Sequence, residues 1–463
     1  MTTSTTAPRR TSTTVLTTGL MLFALFFGSG NLIFPPVVGA SAGSHFLPVL
    51  LGFLATSVLL PLTAIVAVST SGEGILGLAR RVGPRFGVVM PLAVYLSIGP
   101  LYVAPRVTTV SYELATRPVL ELLGLTPGRP ALFVHAVVFL GVTVLVALRP
   151  SRIANRVGRW LTPALLLLLA VLCVATVTGS SPVDRAATGA YASAPLTTGL
   201  TQGYLTMDVL AASVFGIVVI QALRDQGLHG TRQVARATVS SGLIAAVLLA
   251  VVYVGLAMIG QRTDGDVTDG AGLLRAAASA NLGTLGTLLF AAIAVLACLT
   301  TSVGLLSSWS GYAVTVVPRL PFDRHLLVSA LVSLVLANLG LSEIIVVLSP
   351  VIVILYPVAM TLVVATLIDV AAPGHLRAAY LWPVAASTVL AVLSALPSLG
   401  EERVSALLAR TGLWNDSTGW ILPTLLALAV GLVVDVGTGR WSTPAPDASG
   451  IQEEVEHVIA SLS

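Results

Sequence analysis

Four residues, Gly28-Ser29-Gly30-Asn31, interrupt an apolar run from Gly19 to Ala40 that is otherwise long enough to cross a bilayer. Glycine costs about 1 kcal/mol in a helix interior, so two glycines beside a serine and an asparagine mark a place where a helix stops and restarts. In lipid, unwound backbone survives only if it is buried in protein or lines a cavity. The break is therefore a candidate site for an ion or a small ligand. If Asn31 caps the second half-helix, the amides just after it have no intrahelical partner, and their positive dipole end receives a carboxylate. Pro35 then sits at about the last position where a missing N–H costs nothing. The first half-helix ends at the same depth with spare carbonyls for a cation or an ammonium. The side-chain oxygen of Asn31 could add a sodium ligand. One break thus offers a partner to each charge of a zwitterion.

A second small, polar interruption, Ser213-Val214-Phe215-Gly216, lies in the run GYLTMDVLAASVFGIVVIQAL. Taken alone, Gly216 reads as a packing glycine. Further on, Thr300-Thr301-Ser302 follow Cys298-Leu299. Three successive hydroxyls face different directions around a helix, so at most two point inward. Such hydroxyls usually bond their own backbone or a neighbouring helix. Beside free carbonyls, however, they would complete an all-oxygen site for a hard cation, and sodium fits that chemistry. Intramembrane charges are few: Arg106, Glu113 and Asp208. Each is a functional suspect by position. The structural reading comes first for all three, with Arg106 and Glu113 near the outer end of one helix and Asp208 capping another. Their scarcity leaves no evident partner for a charged substrate side chain. With Phe23, Phe26, Phe27 and Phe215 near the interruptions, the expected ligand side chain is neutral and apolar.

The elements that must carry these residues follow from composition. The chain has 463 residues, is 56% hydrophobic and only 10% charged, and has a mean hydropathy of +0.95. Soluble domains run nearer a quarter charged, so the fold class is an all-α polytopic membrane protein. Its 24 basic residues are all arginine. The absence of lysine excludes a P-loop, a Schiff base and a lysine general base. The arginines are scattered through short loops and form no nucleic-acid face. Cys173 and Cys298 lie in apolar runs, which speaks against a disulfide framework or a thiolate metal site. Arg9-Arg10 followed by an apolar run resembles a signal peptide, but the break and Pro35-Pro36 separate that run too far from any cleavage point.

Hydropathy windows pick out twelve apolar stretches, at about 15–39, 47–68, 86–112, 131–148, 161–178, 204–224, 240–260, 285–313, 326–341, 343–369, 378–397 and 420–437. With a cytoplasmic N-terminus, sixteen arginines fall in inner segments and seven in outer loops, as the positive-inside rule requires. Both termini are then cytoplasmic. The interrupted first and sixth spans each open a group of five, and five is odd, so the groups enter the membrane from opposite sides. This is a five-plus-five inverted repeat with two additional C-terminal spans, an architecture whose paired interruptions point to a transporter's binding site. Residues 1–14 and 438–463 are cytoplasmic tails. Repeat one covers about 15–178, repeat two about 204–369, and the extra spans about 378–437. The acidic segment 261–284, with Asp264, Asp266 and Asp269, lacks the glycine and distal glutamate of a calcium loop and reads as solvated. Within 441–463, apolar residues recur at helical spacing, as in a short surface helix.

GLMLFALFFGSGNLIFPP resembles the first-span signature of the branched-chain amino acid:cation symporters, the BrnQ or LIVCS family of the amino acid–polyamine–cation superfamily. The resemblance continues through IGPLYVAPRVTTVSYE at 98–113, PSRIANRVGRWLTP at 150–163, GYLTMDVLAASVFGIVVI at 203–220, LACLTTSVGLL at 296–306 and LSPVIVILYPVAM at 348–360, and covers about 15–437. It implies a LeuT-like fold and sodium-coupled import of leucine, isoleucine and valine. By motif, Gly28, Ser29, Gly30 and Asn31 would hold the substrate carboxylate, and Val214, Phe215 and Gly216 would face its amino group and side chain. The backbone around Phe26 and Phe27, with Thr301 and Ser302, would hold the cation, or Thr300 if the register differs by one. Ile33 stands where the LeuT pattern has an arginine, so that relative's extracellular gate does not transfer.

The expected activity is secondary active symport in the plasma membrane, with Na+ as coupling ion, or H+, and no organic cofactor. The substrate is a small amino acid, the lipid bilayer is the other partner, and the oligomeric state is open. The rivals are a proton-coupled or uncoupled carrier of other neutral apolar solutes and a membrane-embedded enzyme. The enzyme needs a paired acid and base at one depth, which Arg106, Glu113 and Asp208 do not evidently supply.

Overall fold

Long apolar runs punctuated by glycine and proline leave helices as the only regular option for a chain in lipid, and every regular element among the described residues is helical. The computed structural model describes residues 11–71, 74–149, 153–206, 208–228, 230–266, 269–372, 374–397, 403 and 418–442. In order the helices are α1 (Thr11–Phe26), α2 (Ser29–Ala42), α3 (Phe46–Ser57), α4 (Leu59–Ser71), α5 (Ile75–Arg80), α6 (Pro84–Leu96), α7 (Val103–Ser111), α8 (Arg117–Leu122), α9 (Arg129–Ala147) and α10 (Thr162–Gly179). Then come α11 (Ala190–Ser193), α12 (Pro195–Tyr204), α13 (Asp208–Asp225), α14 (Thr231–Gln261), α15 (Gly270–Val316), α16 (Phe322–Ala337), α17 (Leu341–Ala371), α18 (Ala378–Ala395) and α19 (Ile421–Gly437). Between α6 and α7 the chain widens into a π-helical turn, Ser97–Leu101, around Gly99 and Pro100.

Eight helical stretches among the described residues are long and apolar enough to cross a membrane, and nine if the bent pair α12–α13 counts as one. The twelve apolar runs of the sequence map onto fewer such stretches for local reasons. The first run is cut into α1 and α2, and α2 to α4 form one stretch from Ser29 to Thr70. Helices α16 and α19 have only 16 and 17 residues. One expectation is corrected here: the segment 261–284 is a helix from Gly270 onward, part of the 47-residue α15. A kink at Gly283, whose φ of 59° suits glycine, divides it. Asp269 precedes its first turn, where a negative charge suits the helix dipole. Of the two tails, residues 11–14 already belong to α1. Residues 1–10, and the surface helix expected within 441–463 beyond residue 442, lie outside the described residues.

Glycines set the closest approaches around the first break. A Cβ on Gly39 would lie 1.9 Å from the carbonyl oxygen of Ala257, and one on Gly260 would lie 2.0 Å from that of Pro36. Helix α2 thus lies backbone-to-backbone on α14, the small-residue packing that lipid-embedded helices favour. Helix α1 packs against α13, α14 and α15, and α13 against α4. These contacts gather both halves of the first broken helix, the second broken pair and the hydroxyl-bearing stretch of α15 about one centre.

Away from that centre, Asp435 on α19 is fully buried and accepts the backbone N–H groups of Arg377, Ala378 and Ala379 at 3.0, 3.1 and 2.9 Å. A carboxylate thus satisfies the orphan amides at the start of α18. Asp435→Ala strands those amides and is expected to cost about 2–3 kcal/mol. The expected readout is a lower unfolding midpoint of the purified protein in detergent, with Asp435→Asn in between.

Candidate functional site

Helix α1 ends at Phe26 and α2 begins at Ser29, so the predicted interruption is a real break, but its cap differs from the expectation. Gly28, in extended backbone (φ −101°, ψ −165°), is the N-cap, and Asn31 is the third residue of α2. The Asn31 Oδ1 accepts the Gly28 N–H at 3.3 Å. Its Nδ2 donates to Asp208 Oδ2 at 2.7 Å and to the Tyr253 hydroxyl, which in turn donates to the same Asp208 oxygen at 3.4 Å. Asn31 thus bonds the N-cap backbone from the third position of α2, with its amide nitrogen drawn toward a buried carboxylate, instead of being the N-cap itself. With the cap at Gly28, Pro35 and Pro36 fall in the second turn of α2, not at its start. They remove the amides that would bond the carbonyls of Asn31 and Leu32.

The other side of the break consists of carbonyls. Gly28 N–H bonds the Phe26 oxygen at 2.8 Å, and Phe27 N–H bonds that of Phe23 at 2.8 Å. The two carbonyls between them, Ala24 and Leu25, accept the hydroxyls of Thr300 at 2.8 Å and Thr301 at 3.2 Å from α15. Ser302 turns away and accepts the Thr143 hydroxyl of α9 at 3.5 Å. Residues on a helix are about 100° apart, so the third of three hydroxyls cannot share the face of the first two. The facing set is therefore Thr300 and Thr301 with Ala24 and Leu25, a register earlier than Thr301 and Ser302 with Phe26 and Phe27. Phe27 instead stacks on Phe23, with ring centroids 5.3 Å apart.

The second break also lies elsewhere than expected. Helix α13 runs unbroken through Ser213–Gly216, and the bend, of 42°, lies between α12 and α13. Ser213 bonds the carbonyl of Val209 in its own helix at 2.9 Å. Gly216 makes room for α4, since a Cβ there would sit 2.3 Å from Val68 Cγ1. Both are packing features. The signal for this break is the carboxylate in the first turn of α13, Asp208, a functional suspect by position whose structural reading is a cap.

A cavity of about 330 Å³ lies between the breaks. It is lined by Phe26, Gly28, Ser29, Gly30 and Asn31 from the first break, Leu205, Thr206, Asp208, Leu210 and Phe215 from the second, and Thr301 from α15. Val214, Gly216, Phe27, Thr300 and Ser302 do not line it. A third wall joins Arg106, a functional suspect by position, to Ile98, Tyr102, Val103 and Val107, which no sequence pattern singled out; Arg106 Nη1 donates to the Tyr102 hydroxyl at 3.4 Å and the guanidinium lies 5.7 Å from that ring's centroid. Of the three intramembrane charges, Asp208 and Arg106 therefore face the cavity. Glu113 does not, and pairs with Arg117 at 2.8 Å. Tyr253, also missed, is 222 residues from Asn31 in sequence, so no local pattern announces it.

Comparison with known proteins places this geometry. Residues 11–437 match the family described as branched-chain amino acid transport protein. The chain is 43% identical over 421 residues to the branched-chain amino acid permease BrnQ of Corynebacterium glutamicum, covering 91% of this chain and 95% of that one. It is 38% identical to the branched-chain amino acid transport system 2 carrier protein of Pseudomonas aeruginosa, covering 92% and 97%. In fold it is similar to Mhp1, a nucleobase-cation-symport-1 family transporter, with a TM-score of 0.58 at 15% identity over 91% of this chain and 93% of that one. It is also similar to MhsT in complex with L-phenylalanine, with a TM-score of 0.53 at 16% identity over 90% and 97%. A family match across nearly the whole chain, on an all-helical scaffold with two broken helices about one cavity, makes this chain a member of the branched-chain amino acid transport protein family and a multi-pass membrane transporter, not an enzyme.

Proposed function

We propose that the protein is a symporter that imports leucine, isoleucine and valine together with sodium by alternating access. The observation that carries this reading is the first break itself. Ser29 and Gly30, the first residues of α2, line the cavity, and on the other side the hydroxyls of Thr300 and Thr301 meet the carbonyls of Ala24 and Leu25. The amides of a helix start suit a carboxylate. Hydroxyls and carbonyls are hard oxygen donors of the kind sodium takes. The apolar lining, with Phe26, Ile98, Leu205, Leu210 and Phe215, suits a branched aliphatic side chain. Val214, Gly216, Phe27 and Ser302 act behind this surface as packing residues. In the same reading the twelve apolar runs form a five-plus-five inverted repeat with two further spans. The arginine distribution supports cytoplasmic termini in the plasma membrane.

Alternating access then follows from rocking one set of helices against another. The Asn31–Asp208–Tyr253 cluster ties α2, α13 and α14 into one set, while the threonine–carbonyl contacts join α1 to α15 across the moving boundary. Sodium bound at that boundary links the two sets, and its departure frees them.

The test is leucine uptake by the purified protein in proteoliposomes, driven by an inward sodium gradient and compared with choline plus a proton gradient. Accumulation that rises with external sodium supports the reading. A flat sodium response with proton-driven uptake would replace sodium by a proton, and no uptake of any branched-chain amino acid would overturn it. A side chain added at Gly30 probes the cavity directly, because its Cβ would meet only the Phe34 ring, at 3.9 Å, and otherwise open space. Gly30→Ala is expected to fold normally and to weaken isoleucine and valine, which branch at Cβ, more than leucine. Competition against labelled leucine uptake measures this.

A further inference from the structure

We propose that Asp208 and Arg106 are the charged poles of the substrate cavity, Asp208 taking the ammonium and Arg106 the carboxylate of a zwitterionic amino acid; this rests on the amino acid transport reading above. Both residues line the same cavity, and among the described residues neither forms an ion pair. Asp208 is 5% exposed, and the side chains that bond its carboxylate, Asn31, Tyr253 and Thr206, are all neutral donors. Neutral donors orient a carboxylate without cancelling its charge, and an uncancelled charge at membrane depth is costly. The arrangement therefore favours a cation arriving from the cavity.

Arg106 is its complement. Its Nε is buried without a hydrogen-bond partner, and Nη1 reaches only the Tyr102 hydroxyl at 3.4 Å. Packed beside the Tyr102 ring, the guanidinium keeps its planar set of donors for an incoming carboxylate, the geometry in which arginine binds best. The start of α2, which lines the same cavity, offers the carboxylate only partial charges, to which Arg106 adds a full one, while Asp208 supplies the full charge of opposite sign. A ligand with one charge would leave the opposite pole buried and unmatched, so the pair selects for zwitterions. The rest of the lining, apolar, accepts the side chain.

The experiment uses the purified full-length protein in detergent at neutral pH and three ligands: leucine, leucinol, which lacks the carboxylate, and 2-hydroxy-4-methylpentanoate, which lacks the ammonium. Binding is read by displacement of labelled leucine and by ligand-induced thermal stabilisation. In the unmodified protein, each analogue is expected to bind roughly 10–100-fold more weakly than leucine. Asp208→Asn should lower leucine and leucinol affinity by a similar factor and leave the hydroxy acid nearly unchanged. Arg106→Gln should lower leucine and the hydroxy acid and leave leucinol nearly unchanged.

A variant that weakens all three ligands by the same factor, while the unmodified protein binds leucine, overturns the pole assignment alone. Failure of the unmodified protein to bind leucine overturns the substrate reading and the poles with it. If either variant fails to fold, infrared difference spectra of the unmodified protein decide. A carboxylate band of the protein that shifts with leucine and leucinol but not with the hydroxy acid supports Asp208 as the ammonium pole, and no shift with leucine overturns it.

Discussion

Asn31→Ala is expected to reduce sodium-dependent leucine uptake about 100-fold while leaving the amount of protein in the membrane unchanged. Three bonds disappear together: the acceptor for Gly28 N–H, and the donors to Asp208 and to the Tyr253 hydroxyl. A hydrogen bond to a charged group contributes about 1.5–3 kcal/mol, and about 3 kcal/mol corresponds to roughly 100-fold at 1.4 kcal/mol per decade. The loss falls on transport because the asparagine holds two functions in one place. It fixes the backbone at the start of α2, whose Ser29 and Gly30 border the cavity, and it orients the carboxylate of α13. Initial uptake rates in proteoliposomes, normalised to incorporated protein, measure the effect. Uptake at the unmodified rate would sink the assignment of the break as the binding site. Tyr253→Phe removes the hydroxyl that accepts from Asn31 Nδ2 and donates to Asp208 at 3.4 Å, but leaves the direct Asn31–Asp208 bond, and should cost no more than about tenfold.

The second large effect concerns the cation. Thr301→Val keeps the shape of the side chain and removes the hydroxyl that meets the Leu25 carbonyl beside Gly28. Sodium would lose one of its oxygen donors. The external sodium giving half-maximal uptake should rise by roughly tenfold or more, the value of one lost charge-assisted contact. At saturating sodium, leucine uptake should return toward the unmodified rate. Thr300→Val is expected to act in the same direction through Ala24. Ser302→Ala is the control: its hydroxyl faces Thr143 on α9, so sodium dependence should not move. Sodium titrations of initial rates for the three variants separate these outcomes. Equal shifts for Ser302→Ala and Thr301→Val would mean that the hydroxyls act only through helix packing.

These variants also divide what is local from what is not. The helical character of the chain was legible because apolar runs of membrane-spanning length leave the backbone no other way to satisfy its hydrogen bonds. The break at Gly28 was legible for a similar reason, since Gly-Ser-Gly-Asn carries its own penalty within a helix whatever surrounds it. The same reasoning misled at Gly216. A glycine in a lipid-embedded helix either interrupts it or admits a neighbour, and which of these happens depends on Val68 of another helix. The segment 261–284 misled through its aspartates: three acids in a long polar stretch read as a solvated loop, yet the last of them simply precedes the start of α15.

By itself, then, the sequence determined a polytopic helical protein with a broken first span, a hydroxyl triplet and very few buried charges. Each of these is a property of a run of neighbouring residues. Only the tertiary structure decided which two of the three hydroxyls meet α1, because that depends on how far α15 is rotated about its own axis by its contacts. It also decided that the second break precedes Asp208, that Asn31 turns to a carboxylate 177 residues away, and that Arg106 shares a cavity with that carboxylate. The break at Gly28–Asn31 needed no partner to be seen, whereas the charges that complete its cavity come from helices distant in sequence and brought together only by packing.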